Sequence, residues 1–171
     1  MENSCLWKGL VAGAVGGLVG TVVMTQFQNA VAALSGNSDG NGDEHGQRRE
    51  PERQSDDPAT VRAAQAIAKS VTGNSIPAQR REMAGQAVHY AMGMVTGAVY
   101  GMMRERAAEP RTGAGLLFGG GVWAIADEIA APAMRLSDGP YPVSTHANAL
   151  AAHLVYGATT AAVTAELRAL L

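Results

Sequence analysis

Two histidines in apolar stretches share one pattern of spacing. His89 lies in AVHYAMGMVTGAVYG (residues 87–101), and His153 lies in AAHLVYGATTAAV (residues 151–163). Glycine follows each histidine four residues later. Histidine changes its charge between about pH 5 and 8, so it is well suited to binding and releasing protons, and it is also a common metal ligand. The pattern therefore indicates two ionisable groups held among small residues.

Two acidic residues lie in a third apolar stretch, residues 113–136 (GAGLLFGGGVWAIADEIAAPAMRL). Asp127 and Glu128 are adjacent there, and an ionisable residue at membrane depth normally faces the protein interior or water. Pro132 follows Glu128 by four residues, so it cannot donate a hydrogen bond to the carbonyl of Glu128. Glu128 continues a row of small residues spaced four apart, whereas Asp127 follows the large Trp123 by four residues. We therefore expect Glu128 to be the carboxyl group that faces inward.

The predicted topology brings these ionisable groups to one depth. If the apolar segments run up and down in order, the start of the second, the end of the third and the start of the fourth lie at one face. With a helical rise of ~1.5 Å per residue, His89, Glu128 and His153 lie at similar depths of roughly 9–14 Å. His146 lies two turns before His153 on nearly the same face. The predicted proton-handling group is His89, Asp127, Glu128, His146 and His153.

Four interpretations of this polar layer are left open by the residue types. In the first, hydrogen bonds between histidine and carboxylate only hold helices together, and in the second the layer handles protons. The third is a divalent metal ion bound by His89, Glu128 and His153, a familiar ligand set. The fourth is a haem b between His89 and His153, with Gly93 and Gly157 leaving room for the ring. We expect no cofactor, with haem and metal as the alternatives.

The elements that must position these residues are long apolar helices. The predicted spans are about residues 6–34, 83–103, 113–136 and 144–169. A membrane-spanning helix needs about 20 mostly apolar residues, and the first, second and fourth segments lack the charged outer face of a soluble helix. The sequence predicts an all-α, four-span, up-down-up-down transmembrane bundle of two repeated helical hairpins. A soluble alanine-rich bundle and a cleaved first segment are the rival interpretations.

The composition changes between the first two spans. Residues 35–57 are polar, charged and rich in glycine, which predicts a disordered insert. Residues 58–72 predict a short amphipathic helix, with Asp57 as its cap and Gly73 at its end. Val71 belongs to the apolar face of that helix.

Glycine recurs every four residues along the predicted spans. In the second span the row includes Gly93, Gly97 and Gly101, and in the fourth Gly157 follows His153. In lipid, helices associate by close approach of their backbones, and small residues along one face permit that approach. We predict that these four glycines pack helices together. The same rows are candidates for contacts in a homo-oligomer.

Composition and motif content argue against several function classes. The chain has 171 residues and a formal net charge of -2, which gives no indication of a nucleic-acid partner. Cys5 is its single cysteine, so an intramolecular disulfide is excluded. Residues 115–123 (GLLFGGGVW) are rich in glycine but lie within an apolar span rather than after a strand, so they do not predict a phosphate-binding loop. We expect that the protein is not an enzyme.

Several of these features together resemble the YagU-like family of bacterial inner-membrane proteins. They are the glycine-rich first span, His89 with the later Tyr100–Gly101, the run from Trp123 to Pro132 and the run from His146 to Gly157. The resemblance covers most of the chain outside residues 35–56. It implies a multi-pass protein of the inner membrane, which is embedded in the lipid bilayer. The family's association with acid resistance implies a role in stress physiology rather than a reaction.

Overall fold

The computed structural model describes residues 2–34, 57–106, 113–136 and 142–171. Every secondary-structure element in these ranges is helical, so the prediction of an all-α fold is confirmed for this part of the chain. The elements are α1 (Glu2–Leu34), α2 (Ala59–Thr72), α3 (Ala78–Arg106), α4 (Ala114–Trp123), a π-helical segment (Ala124–Ala130), α5 (Ala131–Ala133) and α6 (Val143–Leu170). The predicted disordered insert lies outside the described residues except for Asp57.

The long helices pack mainly as antiparallel neighbours. Helix α1 packs against both α3 and α6, α4 packs against α6, and α2 packs against the first turns of α3. Helices α3 and α6 run parallel and meet through side chains. Tyr156 binds the carbonyl of Gly93, and Arg168 binds Glu105, with a sequence offset of 63 residues in both cases.

Glycines let α1 and α3 approach each other at backbone distance. Gly13 and Gly17 of α1 lie against Gly93, Gly97 and Gly101 of α3. A Cβ atom added to Gly97 would lie 2.6 Å from the Cα atom of Gly17 and 2.8 Å from its backbone nitrogen. Backbone atoms cannot move aside as the end of a flexible side chain can, so this interface depends on the missing Cβ.

The contact between α4 and α6 is built in the same way. Gly17 lies opposite the Cα atom of Gly97 and the carbonyl one turn before Gly97. In the same way, Gly119 lies opposite the Cα atom of Gly157 and the carbonyl one turn before Gly157. That carbonyl belongs to His153 in the second hairpin. The two hairpins, α1–α3 and α4–α6, therefore use the same kind of glycine contact, which Gly13 also makes with Gly97 and Gly101.

Many large apolar side chains lie on the outside of this fold, and three threonines lie inside it. The buried residues include Thr21, Thr160 and Thr164, which are 1%, 0% and 3% exposed. Large apolar side chains point outward, including Leu117 at 79% and Val95 at 63% exposure. Soluble helical proteins bury most side chains of this kind. The fold thus presents an apolar surface around an interior of small and hydroxyl-bearing residues.

Two helical segments in the described residues are long and apolar enough to span a membrane. They are Leu6–Leu34, with 29 residues, and Ala114–Ala133, with 20 residues. Only 17% of the most apolar stretch of the second is buried against the rest of the described chain, whereas the core helix of a soluble protein is mostly buried. By length and composition alone, two of the four predicted spans could therefore cross a membrane.

Helix α2 is fixed on α3 by two specific contacts. Val61 packs onto Gly85, where an added Cβ would lie 2.5 Å from a methyl group of the valine. The Gln65 side chain accepts a hydrogen bond from the backbone nitrogen of Ile76 at 2.9 Å and donates one to its carbonyl at 3.2 Å. These contacts fix the position of α2, and of the residues that connect it to α3, against α3.

One detail predicted for α2 is wrong. The sequence predicts Asp57 as its cap, but this carboxylate pairs with Arg81 at 3.5 Å and no side chain caps the first turn. Val71, which the sequence places on the apolar face of α2, is 78% exposed, because α2 extends past the start of α3. Gly73 ends the helix with φ at 73°, the left-handed conformation that glycine adopts without strain.

Candidate functional site

The two acidic residues of the site lie in the π-helical segment. At its end, the backbone nitrogen of Ala131 donates to the carbonyl of Ala126, five residues earlier. Pro132 follows at once and lacks the N–H group that would bind the carbonyl of Glu128 in an α-helix. A π segment rearranges the bonds beside such an interruption, and segments of this kind are frequent at functional sites. The sequence predicts the interruption but not its π-helical form.

Glu128 pairs with His146 of α6. The Nδ1 atom of His146 lies 2.5 Å from the Oε1 atom of Glu128, which is a short hydrogen bond. Both side chains are partly exposed, at 33% for Glu128 and 39% for His146. When both groups are charged, this contact is a charge-assisted hydrogen bond, which is stronger than a neutral one.

Asp127 forms a second pair, with His153. Its Oδ2 atom lies 3.7 Å from His153 Nδ1, which is an ion-pair distance but too long for a hydrogen bond. The same nitrogen donates to the carbonyl of Ala149 at 2.9 Å. In a neutral imidazole, Nε2 is then the nitrogen that accepts a proton. The His153 side chain is 13% exposed and that of Asp127 is 41% exposed.

Both carboxylates face α6, although the sequence favours Glu128 alone. In an α-helix, consecutive side chains point in directions about 100° apart, because one turn holds about 3.6 residues. A π segment holds more residues in each turn, so the angle between neighbours is smaller. Asp127 and Glu128 therefore reach two histidines that lie two turns apart on one face of α6.

His89 lies on α3, at the height of these pairs. Because α3 and α6 run parallel with an offset of 63 residues, His89 is level with Ala152 and hence with its neighbour His153. The ring of His89 contacts Tyr90 edge to face, with 6.0 Å between ring centroids. The other four residues of the predicted proton-handling group form the two pairs of the α4–α6 hairpin.

The geometry does not assemble the predicted metal site. Within the ranges that the structure describes, no three His, Cys, Asp or Glu side chains lie close enough to hold one metal ion. Glu128 is bonded to His146, and His153 is beside Asp127, while His89 lies on another helix. The ligand set predicted from the sequence is thus divided among separate contacts.

The space that a haem would need beside two glycines is filled by protein. A Cβ atom added to Gly93 would lie 3.1 Å from the Cβ atom of Thr21, and one added to Gly157 would lie 2.6 Å from the backbone nitrogen of Gly119. Gly93 and Gly157 therefore admit helices α1 and α4 rather than a porphyrin ring. Together with Gly97 and Gly101, they are the residues to which the sequence analysis assigns helix packing, and all four contact a neighbouring backbone or side chain.

A buried tyrosine lies beneath the pairs. Tyr156 is 2% exposed, donates a hydrogen bond to Gly93 O at 2.8 Å and lies 2.7 Å from Thr96 Oγ1. Its ring is 6.0 Å from that of Phe118, which in turn is 4.8 Å from Tyr100. The spacing patterns of the sequence predict no contact for Tyr156 or Thr96. The repeated Tyr-Gly dipeptide, at residues 100–101 and 156–157, is the signal that points to Tyr156.

The opposite end of the bundle carries an ion pair. Arg168 binds Glu105 through both Nε and Nη2, the latter at 2.8 Å from Oε2. The stem of Glu105 lies against Gly9, where no side chain obstructs it. Lys8 donates to the carbonyl of Leu171 at 2.5 Å. The histidine–carboxylate pairs and these charged groups thus lie towards opposite ends of the bundle.

Comparison of the chain with protein-family models, with curated proteins and with solved structures finds no match. The site is therefore interpreted from its own geometry, in which two imidazole–carboxylate pairs lie side by side on one helical hairpin.

Proposed function

We propose that the protein is a multi-pass protein of the bacterial inner membrane. In this proposal α1, α3, the segment Ala114–Ala133 and α6 are its four spans. The exposed apolar side chains support it, because lipid tails solvate large apolar side chains while small residues let helices pack. Leu6–Leu34 and Ala114–Ala133 are the segments whose composition favours a membrane most directly.

The outward face of α3 supports its assignment as a span. Between Glu82 and Arg104 the helix carries no Asp, Glu, Lys or Arg. The three glycines from Gly93 to Gly101 face α1, whereas Met92, Val95 and Val99 are 47%, 63% and 43% exposed. An apolar outer face over this length suits the hydrocarbon core of a bilayer, which is about 30 Å thick.

Within that setting, the two imidazole–carboxylate pairs are proposed to bind and release protons. A single observation carries this part of the proposal: Asp127 and Glu128 each lie beside a histidine Nδ1 atom on the same face of α6. Ionisable residues inside membrane proteins commonly serve proton relays. The function proposed is proton-linked transport or proton sensing in acid-stress physiology, as the resemblance to the YagU-like family implies.

The chemistry of each pair needs only proton movement between known atoms. In the Glu128–His146 pair, the protonated Nδ1 atom donates to a carboxylate oxygen. Uptake of a proton at the second ring nitrogen makes the imidazole cationic and turns the pair into an ion pair. Loss of that proton, or protonation of the carboxylate, weakens the contact between the π-helical segment and α6. Proton binding is thereby coupled to the packing of α4 on α6.

The experiment compares the parent protein with Asp127→Asn/Glu128→Gln in proteoliposomes that contain a pH-sensitive dye. Transport predicts proton flux in the parent and loss of most of it in the double variant. Glu166→Gln is the matched control, because Glu166 is an exposed carboxylate on α6 outside the pairs. Equal flux in the parent and the double variant would contradict transport.

Sensing is tested on the same samples by infrared spectroscopy. Difference spectra against the double variant isolate the bands of Asp127 and Glu128, and sensing predicts that these bands change with pH in the parent and in Glu166→Gln. If the bands do not change in the parent, the pairs are structural. A Soret absorption band, or stoichiometric metal in elemental analysis, would instead support the cofactor alternatives.

A further inference from the structure

Two threonine hydroxyls are buried on α6 without a hydrogen-bond partner. Thr160 and Thr164 are 0% and 3% exposed, and within the described residues neither Oγ1 atom makes a hydrogen bond of normal geometry. The hydroxyls of Thr21, Thr25 and Thr96, in contrast, each donate to the carbonyl one turn earlier in their own helix, at 2.8, 2.9 and 2.8 Å. The two hydroxyls of α6 are therefore not satisfied in the way that is usual in these helices.

Both hydroxyls point at glycines of α1. A Cβ atom added to Gly20 would lie 2.5 Å from Thr160 Oγ1, and one added to Gly16 would lie 2.5 Å from Thr164 Oγ1. A side chain at either glycine would displace the hydroxyl opposite it. A buried hydroxyl without a partner lowers stability, and valine has the same shape without that cost. Packing alone therefore does not explain why threonine occupies these two positions.

The two hydroxyls belong to a row of polar groups along one face of α6. Steps of three or four residues lead from His153 to Tyr156, Thr160, Thr164 and Arg168, and steps of this size stay on one face of an α-helix. The Thr160 side chain is close enough to interact with the Tyr156 hydroxyl. At a rise of ~1.5 Å per residue, the row covers roughly 22 Å. It thus leads from the imidazole–carboxylate pairs to the ion pair at the opposite end of the bundle.

We propose that the hydroxyls of Tyr156, Thr160 and Thr164, the hydroxyl row, carry protons between the imidazole–carboxylate pairs and Glu105, the carboxylate that Arg168 binds. A hydroxyl is both a donor and an acceptor. Each one accepts a proton on its oxygen and releases its own proton on the other side. One proton therefore leaves the row as another enters it, and only O–H bonds form and break.

Water completes the row between successive threonines. Residues 160 and 164 are one turn apart, which is roughly 6 Å along the helix axis. This gap is about the length of two O–H···O hydrogen bonds, so one water molecule can bridge it. Such a water molecule would also supply the partner that each of the two hydroxyls lacks among the described residues.

The packing of α1 on α6 favours a proton over a larger solute. Even a methyl group at Gly16 or Gly20 would collide with α6. A hydrated metal ion or an organic solute is larger than a methyl group and would have to separate the two helices. A proton moves by exchange between neighbouring hydroxyls and water, so it needs no open channel.

This inference rests on the transport branch of the proposed function and assigns its route. The test measures proton flux in proteoliposomes for Thr160→Val/Thr164→Val, which keeps the shape of both side chains, and for Thr160→Ser/Thr164→Ser, which keeps both hydroxyls. We expect at least a tenfold loss of flux in the valine variant and flux near that of the parent in the serine variant. Thr159→Val is the matched control, because Thr159 is a less buried threonine next to the row, and its flux should not change.

The outcomes separate the route from the proposed function. Absence of flux in the parent would contradict transport and the hydroxyl row together. Flux that requires Asp127 and Glu128 but is equal in the parent and the valine variant would overturn the row alone, as would an equal loss in the valine and serine variants.

Thermal unfolding in detergent checks that the valine variant folds. It should unfold at the temperature of the parent or above it, because the two hydroxyls have no partner to lose. A lower unfolding temperature would show that the hydroxyls hold the helices together, and it would overturn the hydroxyl row.

Discussion

At the scale of single residues, identical residue types have opposite roles here. Gly97 lies against the backbone of α1, whereas Gly121 faces open space on α4. Both belong to glycine-rich apolar stretches, and the sequence provides no means of separating them. The distinction depends on which helix is the neighbour, and that is a property of the packed bundle.

Gly97→Ala is therefore expected to lower the free energy of unfolding by roughly 1–3 kcal/mol, the usual cost of overpacking. Its methyl group would collide with Gly17, whose backbone is fixed by its own helix. Gly121→Ala is the matched control and should keep or raise stability by up to about 1 kcal/mol, because alanine favours helix. Unfolding in detergent, at a dilution that keeps the chain monomeric, checks both. Equal losses in the two variants would show that the packing is misassigned.

Tyr156→Phe tests the contact between α3 and α6. Removal of the hydroxyl leaves the carbonyl of Gly93 and the hydroxyl of Thr96 without this partner, in a region where the tyrosine is 2% exposed. The expected loss is about 1–3 kcal/mol of unfolding free energy. Tyr90→Phe, at a less buried tyrosine of α3, should change stability by much less. A null result for Tyr156→Phe would mean that this hydrogen bond does not hold the two helices.

At the scale of elements, the third span shows how one proline changes a helix. Pro132 lacks the backbone N–H donor of an α-helix, and the π-helical segment before it turns two carboxylates towards α6. The span ends at Arg135, which has φ at 56° and is the one non-glycine residue with positive φ in the described residues. Leu136 N donates to Ala131 O at 2.8 Å and closes the end of the helix.

Arg135→Gly is expected to stabilise the fold by about 1 kcal/mol, because glycine adopts the left-handed conformation without a Cβ clash. Arg135→Ala removes the same charge but keeps the Cβ, so it isolates the backbone effect. Thermal unfolding of the two variants gives the comparison. If alanine stabilises as much as glycine, the gain comes from the lost charge and the conformational explanation is wrong.

At the scale of the whole molecule, the exposed apolar side chains allow a direct test between a membrane protein and a soluble bundle. In water, a charged residue at an exposed position usually changes stability by no more than about 0.5 kcal/mol. At the centre of a membrane helix, lysine costs about 2.5–3.5 kcal/mol on insertion scales. The same substitution therefore has different outcomes in the two settings.

Val95→Lys should sharply reduce the membrane-inserted fraction, because Val95 is 63% exposed near the middle of the apolar stretch of α3. Ile67→Lys is the control, since Ile67 is 55% exposed on α2, outside the proposed spans. Alkaline extraction of membranes, followed by quantification of the retained protein, measures both. Normal retention of Val95→Lys would favour the soluble bundle.

Much of this fold and site follows from short-range patterns. The four apolar segments, the amphipathic helix before Ala78 and the interruption at Pro132 depend on local composition and backbone chemistry. The common height expected for His89, Glu128 and His153 rests on the topology and the helical rise. The histidine partners of the two carboxylates could not be predicted from these patterns. Side-chain directions calculated for an α-helix are wrong within the π-helical segment, because that segment has more residues in each turn.

By itself, the sequence determined helical structure, apolar outer faces and the presence of histidines and acids at one end, since each depends on residue type and periodicity. Only the tertiary structure decided that Asp127 pairs with His153 and Glu128 with His146, and that Gly93 and Gly157 admit helices instead of a haem. Those outcomes depend on which backbones touch and in what register. Contacts between residues far apart in the chain set that register, and no local pattern encodes it.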